Sequence, residues 1–395
     1  MKLRTPRGVK DFLPADAEWK FQLEQQIRAI FGWWGYQEVI TPTFEFHDVL
    51  AQGGPAAERH TYRFFDNNGE LLVLRSDLTM PIARMVATRF KHELKPLRFS
   101  YIANVFRYDD VQVGFQREFY QAGVELIGTS SAAADAEVAA LSISVFNHLG
   151  VRDFSLDIGH ADFIHGVLEE CTNSTVRQQI WDLLLRRDLV GLRNLVTASD
   201  LTSATKELLL DLPHCRGKEA LLEEVYQRTV NPHARQALIN LREIFQYIQA
   251  YGYGDQVTID LSIVKSLGYY TGMVLEGYVP SLGFTICSGG RYDHLSCQFG
   301  NDLPAVGFAL GLERLMLVLE QQGLRPERKP QGLLVLPVSW EHALAYAMEQ
   351  RKAGIRVEVD TEGRSEAEAV EYARKKNYNA VVIIEKQAIR SIALV

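Results

Sequence analysis

The stretch NVFRYDDVQVGFQREFYQAGVELIG, residues 104–128, predicts two strands joined by a short loop. Arg107 and Asp109 would share one face of the first strand. An unusual alternating row would share one face of the second strand: Phe119, Gln121, Gly123, Glu125 and Ile127. Glutamine and glutamate belong in a buried row only when something bonds them, because an unpaired buried polar group costs about 1–3 kcal/mol. The row therefore indicates either a hairpin with one solvated face or a strand that holds a polar ligand.

The composition is typical of a globular chain with room for two or three domains. The chain has 395 residues, of which 47% are hydrophobic and 23% are charged, and its formal net charge is −7. This mild acidity gives no general attraction to nucleic acid or to anionic membranes, although a local basic patch remains open. No apolar run reaches the roughly 18 residues of a membrane-spanning helix, and none follows the basic start as in a signal peptide.

Cysteine and histidine usage indicates a reducing compartment and no metal site. The four cysteines form neither a CxxC pair nor a disulfide framework, which favours free thiols in the cytoplasm. The ten histidines are scattered, and the spacing of five between His160 and His165 does not stack two ligands on one helix face. We therefore expect a cytoplasmic protein without a membrane segment, a metal ion or another cofactor.

Helix and strand patterns predict a sheet domain that a helical insertion interrupts. Residues 161–251 have apolar spacings of three and four throughout and carry no recognisable chemistry. The flanking segments 1–160 and 252–322 would form the sheet domain, and residues 331–395 would form a separate small α/β module. In the sheet domain we expect helices over 17–34, 132–148 and 303–321, and strands over 37–41, 71–74, 154–158, 257–263, 269–278 and 284–287.

A cluster of polar residues lies where the strand 71–74 becomes a helix. Arg75, Asp77 and Thr79 follow one another at a spacing of two. Ser76 or Asp77 can cap the helix, because a short polar side chain accepts hydrogen bonds from the first helical N–H groups. Taken alone, the segment favours a surface position for Arg75 and a capping role for Asp77 over a role in ligand binding.

A second cluster combines glycines with an arginine near the end of the sheet domain. The paired glycines of SGGRYD, residues 288–293, follow a strand and either form a plain turn or let the backbone approach a ligand. In the predicted helix 303–321, Gly307, Gly311 and Arg314 would share one face. An arginine on an apolar face needs an anionic partner.

Seven motifs that occur in order resemble histidyl-tRNA synthetase. They are TPRGVKDFLP, YQEVITPTFE, LRSDLT, FRYDD with REFYQAGVELIG, LGYYTG, GGRYDHL and VGFALGLERL. The match covers residues 3–322 and part of the C-terminal module, and seven motifs in register are far more specific than any one of them. The resemblance implies an α+β, class II aminoacyl-tRNA synthetase-like fold: an antiparallel sheet flanked by helices, with Pro42 in the motif that forms a dimer.

The resemblance assigns a histidine-binding half and a phosphate-binding half to one site. The arginine that grips the α-phosphate of ATP corresponds to Arg107, and the arginine that meets the γ-phosphate corresponds to Arg314. Asp77 is a shortened version of the glutamate that the family usually has. The residues that match the family's histidine-binding positions are Asp77, Thr79, Gln121, Glu125, Tyr269 and Tyr270, with the glycines of GGRYD beside the ring.

The departures from the synthetase pattern concentrate in the nucleotide half. Asp109 replaces a glutamate, Phe115 replaces a second arginine that helps to hold ATP, and Gly268 replaces an aspartate. Lys265 replaces the catalytic arginine, so the charge remains but the planar fork is lost. Removal of one such stabilising group costs about 10²–10³ in rate, so we expect very poor adenylate formation. What remains is a vestigial phosphate site of Arg107, Asp109, Lys265 and Arg314.

A synthetase-like domain that has lost the chemistry of a synthetase resembles a paralogous family, the regulatory subunits of ATP phosphoribosyltransferase. The resemblance implies a non-catalytic subunit that assembles with the short-form catalytic subunit, is required for the first step of histidine biosynthesis and confers feedback inhibition by histidine. It also implies a self-dimer through the synthetase-like domain. Residues 331–395 resemble a shortened anticodon-binding module with nine Lys/Arg and nine Asp/Glu, so the cationic excess of a tRNA-binding surface is missing and no tRNA partner is expected.

Two other functions stay open. A divergent but active histidyl-tRNA synthetase would still charge its tRNA with histidine. A free-standing histidine-binding or scaffolding paralogue would have no phosphoribosyltransferase partner. Within the regulatory hypothesis, histidine would bind either in the pocket of Gln121, Glu125 and Tyr269 or at a subunit interface.

Overall fold

The computed structural model describes residues 3–52, 60–108, 116–265, 269–300 and 302–394. The chain forms two compact units, Met1–Arg325 and Pro326–Val395. The expected contributions of Asp109, of the loop up to Phe115 and of Gly268 lie outside the described residues and stay predictions. Among the described residues, no helix has both the length and the apolar character needed to cross a membrane.

The larger unit combines many strands with helices that flank them. Its strands are β1 (Gln37–Glu38), β2 (Phe44–Phe46), β3 (Arg63–Phe65), β4 (Leu71–Leu74), β5 (Leu97–Phe106), β6 (Glu118–Ile127), β7 (Ser155–His160), β8 (Arg216–Gly217), β9 (Val257–Asp260), β10 (Met273–Tyr278), β11 (Thr285–Arg291) and β12 (Ala305–Gly311). Its helices are α1 (Pro14–Trp33), α2 (His47–Ala51), α3 (Thr79–Arg89), α4 (Ala132–His148), α5 (Ala161–Leu168), α6 (Ser174–Arg186), α7 (Leu189–Ala198), α8 (Ser203–Asp211), α9 (Glu219–Arg228), α10 (Pro232–Ala250) and α11 (Leu312–Gln321).

Nine of the described strands form one sheet, in the order β1-β5-β6-β12-β11-β10-β7-β9-β8. Neighbouring strands are antiparallel except for the pairs β1–β5 and β7–β9, which are parallel. The strands β2, β4 and β3 form a separate antiparallel sheet. The predicted architecture, an antiparallel sheet flanked by helices, is therefore confirmed, and so is the hairpin within residues 104–128.

The central strands are covered on both faces. On one face Val124 of β6 packs in a core with Leu141 of α4. On the other face Tyr101 of β5 packs with Met80 of α3. Because successive strand residues point to opposite faces, Glu125 lies on the side of α3, opposite to Val124. This second face carries the polar row that the sequence singled out.

The prediction of one helix over 303–321 is wrong. The first half of this segment is the strand β12, which lies between β6 and β11, and only the second half is helical, as α11. A strand that is buried on both faces has no alternation, so its continuous apolar run resembles that of a buried helix. Gly307 therefore does not share a helix face with Gly311 and Arg314, but pairs with Glu125 and with Gly290.

Several other elements begin or end a few residues away from their predicted boundaries. The predicted strand 269–278 begins only at Met273, and the paired glycines of SGGRYD lie within β11 and form no turn. Arg107 lies just beyond the end of β5, not within the strand. The segment 161–251 is mostly helical, but it also contains β8, which pairs with β9 at the sheet edge. The strand predicted over 37–41 is limited to β1.

The smaller unit is a four-stranded sheet with two helices. Its elements are β13 (Leu333–Pro337), α12 (Trp340–Lys352), β14 (Val357–Val359), α13 (Glu366–Lys375), β15 (Ala380–Ile384) and β16 (Ile389–Ala393). The sheet order is β14-β13-β15-β16. Ser365 and Glu368 form a capping box at the start of α13. These helices and strands give the small α/β module that the sequence predicted.

Candidate functional site

A cavity of about 790 Å³ in the larger unit is lined by residues of both halves of the predicted site. This volume is within the usual range for a small-molecule site. The predicted site residues that line the cavity are Asp77, Thr79, Arg107, Gln121, Glu125, Lys265, Tyr269, Tyr270 and Arg314. The structure thus brings together residues that are nearly 240 positions apart in the chain.

Glu125 is the buried acid at the centre of the histidine-binding half. Only 2% of the residue is exposed, and its carboxyl group accepts a hydrogen bond from Thr79 Oγ1 at 2.9 Å and another from the Tyr292 hydroxyl. Burial raises the pKa of Glu125 to about 8, while the hydrogen bonds from Tyr292 and Thr79 oppose the rise. At neutral pH burial therefore favours a protonated Glu125, and a bound cation would favour the carboxylate.

Gln121 offers a hydrogen-bond acceptor to a ligand. Its side chain is buried, and its Oε1 atom has no hydrogen-bond partner among the described residues. A buried acceptor without a partner costs about 1–3 kcal/mol, which a ligand N–H group would recover. Gln121 and Glu125 are both buried, so the interpretation of this row as the solvated face of a hairpin is wrong.

Glycines allow the strands under the cavity to come close together. A Cβ atom on Gly307 would lie 1.8 Å from Glu125 Oε2 and 2.5 Å from the carbonyl oxygen of Val124. Gly290 has a φ of 155°, and a Cβ atom there would lie 2.9 Å from the ring of Tyr270. The glycines therefore leave room for Glu125 and Tyr270 themselves. Neither a plain turn nor contact of the glycine backbone with a ligand is needed to explain them.

Tyrosines form an aromatic wall of the cavity. The rings of Tyr269 and Tyr270 lie 4.8 Å apart between centroids, and Tyr292 meets Tyr269 edge-to-face at 5.9 Å. Burial raises the pKa of each of the three hydroxyls above the ordinary value for tyrosine. The wall is therefore neutral across the physiological pH range and presents polar hydroxyls beside flat apolar rings.

Asp77 both lines the cavity and stabilises the start of α3. Its Oδ1 atom accepts a hydrogen bond from the backbone N–H of Met80 at 3.1 Å. Leu78, not Ser76 or Asp77, occupies the N-cap position, so the cap predicted from the sequence was one or two residues too early. Arg75 is not a surface residue: it is buried, and it donates hydrogen bonds to the carbonyl oxygens of Thr41 and Asn104.

Two arginines lie in the nucleotide half of the cavity. Arg107 Nε donates a hydrogen bond to the carbonyl oxygen of Ser76 at 2.8 Å, and Arg314 Nη1 donates one to the carbonyl oxygen of Thr285 at 2.7 Å. Burial lowers the pKa of Arg314, and the positive charge of Arg107 lowers it further. Two guanidinium groups that repel one another inside a cavity form an environment that favours an anion.

Lys265, the third predicted cation, is engaged by the protein itself. Its ammonium group donates to the Glu276 carboxylate, to Ser288 Oγ at 2.8 Å and to the carbonyl oxygen of Leu275 at 3.3 Å. An ammonium group has three donors, and these three contacts use all of them. Burial lowers the pKa of Lys265, and the charge of Glu276 opposes this effect. Lys265 therefore has no donor left for a phosphate in this arrangement.

A buried ion pair of Arg291 and Asp135 lies next to Tyr292, which lines the cavity. The sequence analysis did not identify this pair. Arg291 donates to Asp135 Oδ1 at 2.9 Å, to Asp293 Oδ1 at 3.0 Å and to the carbonyl oxygen of Thr129 at 2.9 Å. Burial raises the pKa of Asp135 to about 6, although the charge of Arg291 opposes the rise. Tyr292, the next residue after Arg291, was also missed as a partner of Glu125, because the two are 167 positions apart.

Comparisons with known proteins identify the family and the fold. Residues 8–315 match the family model for histidyl-tRNA synthetase. The ATP phosphoribosyltransferase regulatory subunit of Acetivibrio thermocellus is 38% identical over 96% of this chain and 92% of its own length. That of Moorella thermoacetica is 40% identical over 96% and 97%. The crystal structure of an ATP phosphoribosyltransferase regulatory subunit/histidyl-tRNA synthetase from Bacillus halodurans C is similar with a TM-score of 0.87 and 31% identity, over 98% of this chain and 100% of that one.

Proposed function

The chain belongs to the family of ATP phosphoribosyltransferase regulatory subunits, which have the histidyl-tRNA synthetase fold, and from this premise we propose that it assembles with a short-form catalytic subunit and confers feedback inhibition by histidine. The relatives are named regulatory subunits of ATP phosphoribosyltransferase. A regulatory subunit of this enzyme acts in histidine biosynthesis through its catalytic partner. The proposed binding site for histidine is the cavity around Glu125.

The difference between the two halves of the cavity carries the proposal. In one half, Gln121 Oε1 and the Glu125 carboxyl group are buried and can bond the nitrogen atoms of an amino acid. In the other half, all three donors of Lys265 are used by Glu276, Ser288 and Leu275. Adenylate formation depends on fixed cations that face the developing phosphate charge. The cavity thus favours recognition of an amino acid without its activation by ATP.

Two measurements test this function. We expect ATP–pyrophosphate exchange with histidine to stay at background, with an active histidyl-tRNA synthetase as the positive control. We expect co-expression with the short-form catalytic subunit to give a complex that free histidine inhibits. A robust exchange rate would support a divergent synthetase instead. Failure to form any complex would favour a free-standing histidine-binding or scaffolding protein.

The coupling between histidine and catalysis needs two states of the assembly. Histidine can inhibit the partner only if its affinity differs between an active and an inhibited arrangement of the subunits, and such coupling is typically about 1–3 kcal/mol. We propose that the cavity provides this difference. The cytoplasm is the proposed compartment, and tRNA is not a proposed partner.

We further propose that two copies associate through the small sheet of β2, β3 and β4. One face of the sheet exposes the aromatic side chains of Phe44, Phe46 and Phe64, because their strand partners Leu72 and Leu74 lie on that same face. The rings of Phe44 and Phe64 contact one another edge-to-face at 6.1 Å. A contiguous group of exposed aromatic rings is typical of a surface that another protein chain covers.

The double variant Phe44→Ser/Phe46→Ser is expected to convert a dimer into a monomer. Both substitutions remove apolar area from the proposed interface and leave the buried core unchanged. Sedimentation equilibrium measures the mass, and Leu94→Ser is the matched control because Leu94 is 91% exposed outside this sheet. If the double variant stays a dimer, the copies associate through another surface.

A further inference from the structure

A surface loop next to the cavity carries three potential metal ligands. The loop joins β11 to β12, and His294, Cys297 and Asp302 are all exposed on it. A ring nitrogen, the thiol sulfur and a carboxylate oxygen all lie within 4.8 Å of one another. Neither the histidine-binding half nor the vestigial phosphate site uses these residues.

The loop is held by its own contacts, so its backbone keeps the three residues near one another. Ser296 is buried, and its hydroxyl donates to the carbonyl oxygen of Leu303 at 2.8 Å and accepts from the Leu303 N–H at 3.0 Å. Leu295 is 1% exposed and packs in the core beside α3, together with Phe299. Gly300 has a φ of 80°, a left-handed conformation that glycine adopts without strain.

From this geometry we propose that His294, Cys297 and Asp302 form a surface site for a divalent metal ion of the zinc class, with a solvent molecule as the fourth ligand. Zinc accepts nitrogen, sulfur and oxygen ligands in one tetrahedral site, at about 2.0–2.3 Å. Magnesium and calcium prefer sites made of oxygen alone, so the thiol and the imidazole select against them.

Metal binding at this site replaces a hydrogen bond that the free residues make. The Cys297 thiol donates to Asp302 Oδ1 at 3.0 Å. On binding, the sulfur–hydrogen bond breaks, the proton leaves to the buffer and a sulfur–metal bond forms, so charge and atoms balance. All three side chains are exposed, and small rotations at the surface can bring their ligand atoms from within 4.8 Å to the roughly 3.5 Å that a tetrahedral ion with these bond lengths requires.

Metal titration of the full-length protein, produced without a polyhistidine tag and freed of metal by a chelator, tests the site. We expect one equivalent of Zn²⁺ to bind in competition with a chromophoric chelator. We expect Co²⁺ to give the charge-transfer absorption of a cobalt–thiolate bond. Loss of a residue that only supports a metal ligand weakens metal binding by roughly 10–100-fold. We expect a larger loss of Zn²⁺ affinity in each of the ligand variants His294→Ala, Cys297→Ser and Asp302→Asn.

The control variant is His92→Ala, which removes another exposed histidine and should leave Zn²⁺ binding unchanged. Thermal unfolding of each metal-free variant should match that of the wild type, because the substituted side chains are at the surface. The proposal is overturned if the wild type and Cys297→Ser bind Zn²⁺ with the same stoichiometry and the same affinity. It is equally overturned if the cobalt–thiolate absorption persists in Cys297→Ser.

Discussion

Replacing Glu125 with glutamine is expected to abolish tight histidine binding and to leave the fold intact. Glutamine has nearly the same shape. Its amide oxygen can accept from one of the hydroxyls of Thr79 and Tyr292, and its NH2 group can donate to the other, but it cannot pair with a cationic group of the ligand. Loss of one partner of a buried charge pair costs about 2–5 kcal/mol, which is at least a 30-fold loss of affinity. Calorimetric titration with histidine measures this loss.

The matched control is Glu118→Gln, the same substitution on the same strand. Glu118 accepts a hydrogen bond from Asn104 and is not among the residues that line the cavity. Its replacement should leave the affinity for histidine within a factor of about two, since it removes no contact to the ligand. If Glu125→Gln also binds histidine with unchanged affinity, the effector binds elsewhere, for instance at a subunit interface.

The pH dependence of the wild type and of Glu125→Gln provides a second readout. The pKa of Glu125 is raised to about 8 by burial, so histidine should bind more weakly as the pH falls below 8, because the carboxyl group must first lose its proton. The stability of the fold depends on pH in the opposite direction to the affinity for histidine. A carboxyl group with a raised pKa stabilises the fold below its unfolded pKa of about 4.5, and this contribution is lost as the pH rises through about 8. Urea unfolding between these limits should show the decline in the wild type and a smaller one in the variant.

The variant Asp135→Ala is expected to destabilise the larger unit by about 3–5 kcal/mol. It leaves the guanidinium of Arg291 buried without its main partner, and an uncompensated buried charge is among the most costly defects in a protein. Asp293 and the carbonyl oxygen of Thr129 stay as partners of Arg291, so the cost should not exceed this range. Urea unfolding measures the change in the free energy of unfolding.

A double variant distinguishes two effects on the free energy of unfolding: the loss caused by leaving one charge unpaired, and the net contribution of the intact ion pair. Burial raises the pKa of Asp135 to about 6 in spite of Arg291, so desolvation outweighs the attraction between the two charges. Asp135→Ala/Arg291→Met should therefore be more stable than Asp135→Ala alone, since it leaves no unpaired charge. The exposed pair of Glu223 and Arg242 is the control, and Glu223→Ala should leave the free energy of unfolding nearly unchanged, because an exposed ion pair contributes little. A double variant that is less stable than Asp135→Ala would mean that the cation is held mainly by Asp293.

The comparison of prediction and structure is most instructive at β6 and β12. The alternation of polar and apolar residues in β6 predicted the strand and the shared face of Gln121 and Glu125, but it left open whether that face is solvated or buried. β12 was mistaken for the start of a helix, because a strand covered on both faces has no alternation. The predicted site residues that the structure describes all line one cavity, but the sequence could not show what each of them contacts.

The amino-acid sequence by itself determined the fold class, the family and the position of the polar row on β6, because these depend on local periodicity and on motifs that stay in order. Only the tertiary structure decided which charges are satisfied by the protein and which can meet a ligand. Lys265 is engaged by Glu276 and Ser288 from two other strands, and Glu125 is buried against Tyr292 from a distant segment. Hydrogen bonding and desolvation act between residues that are neighbours in space, and the order of residues along the chain does not record those neighbours.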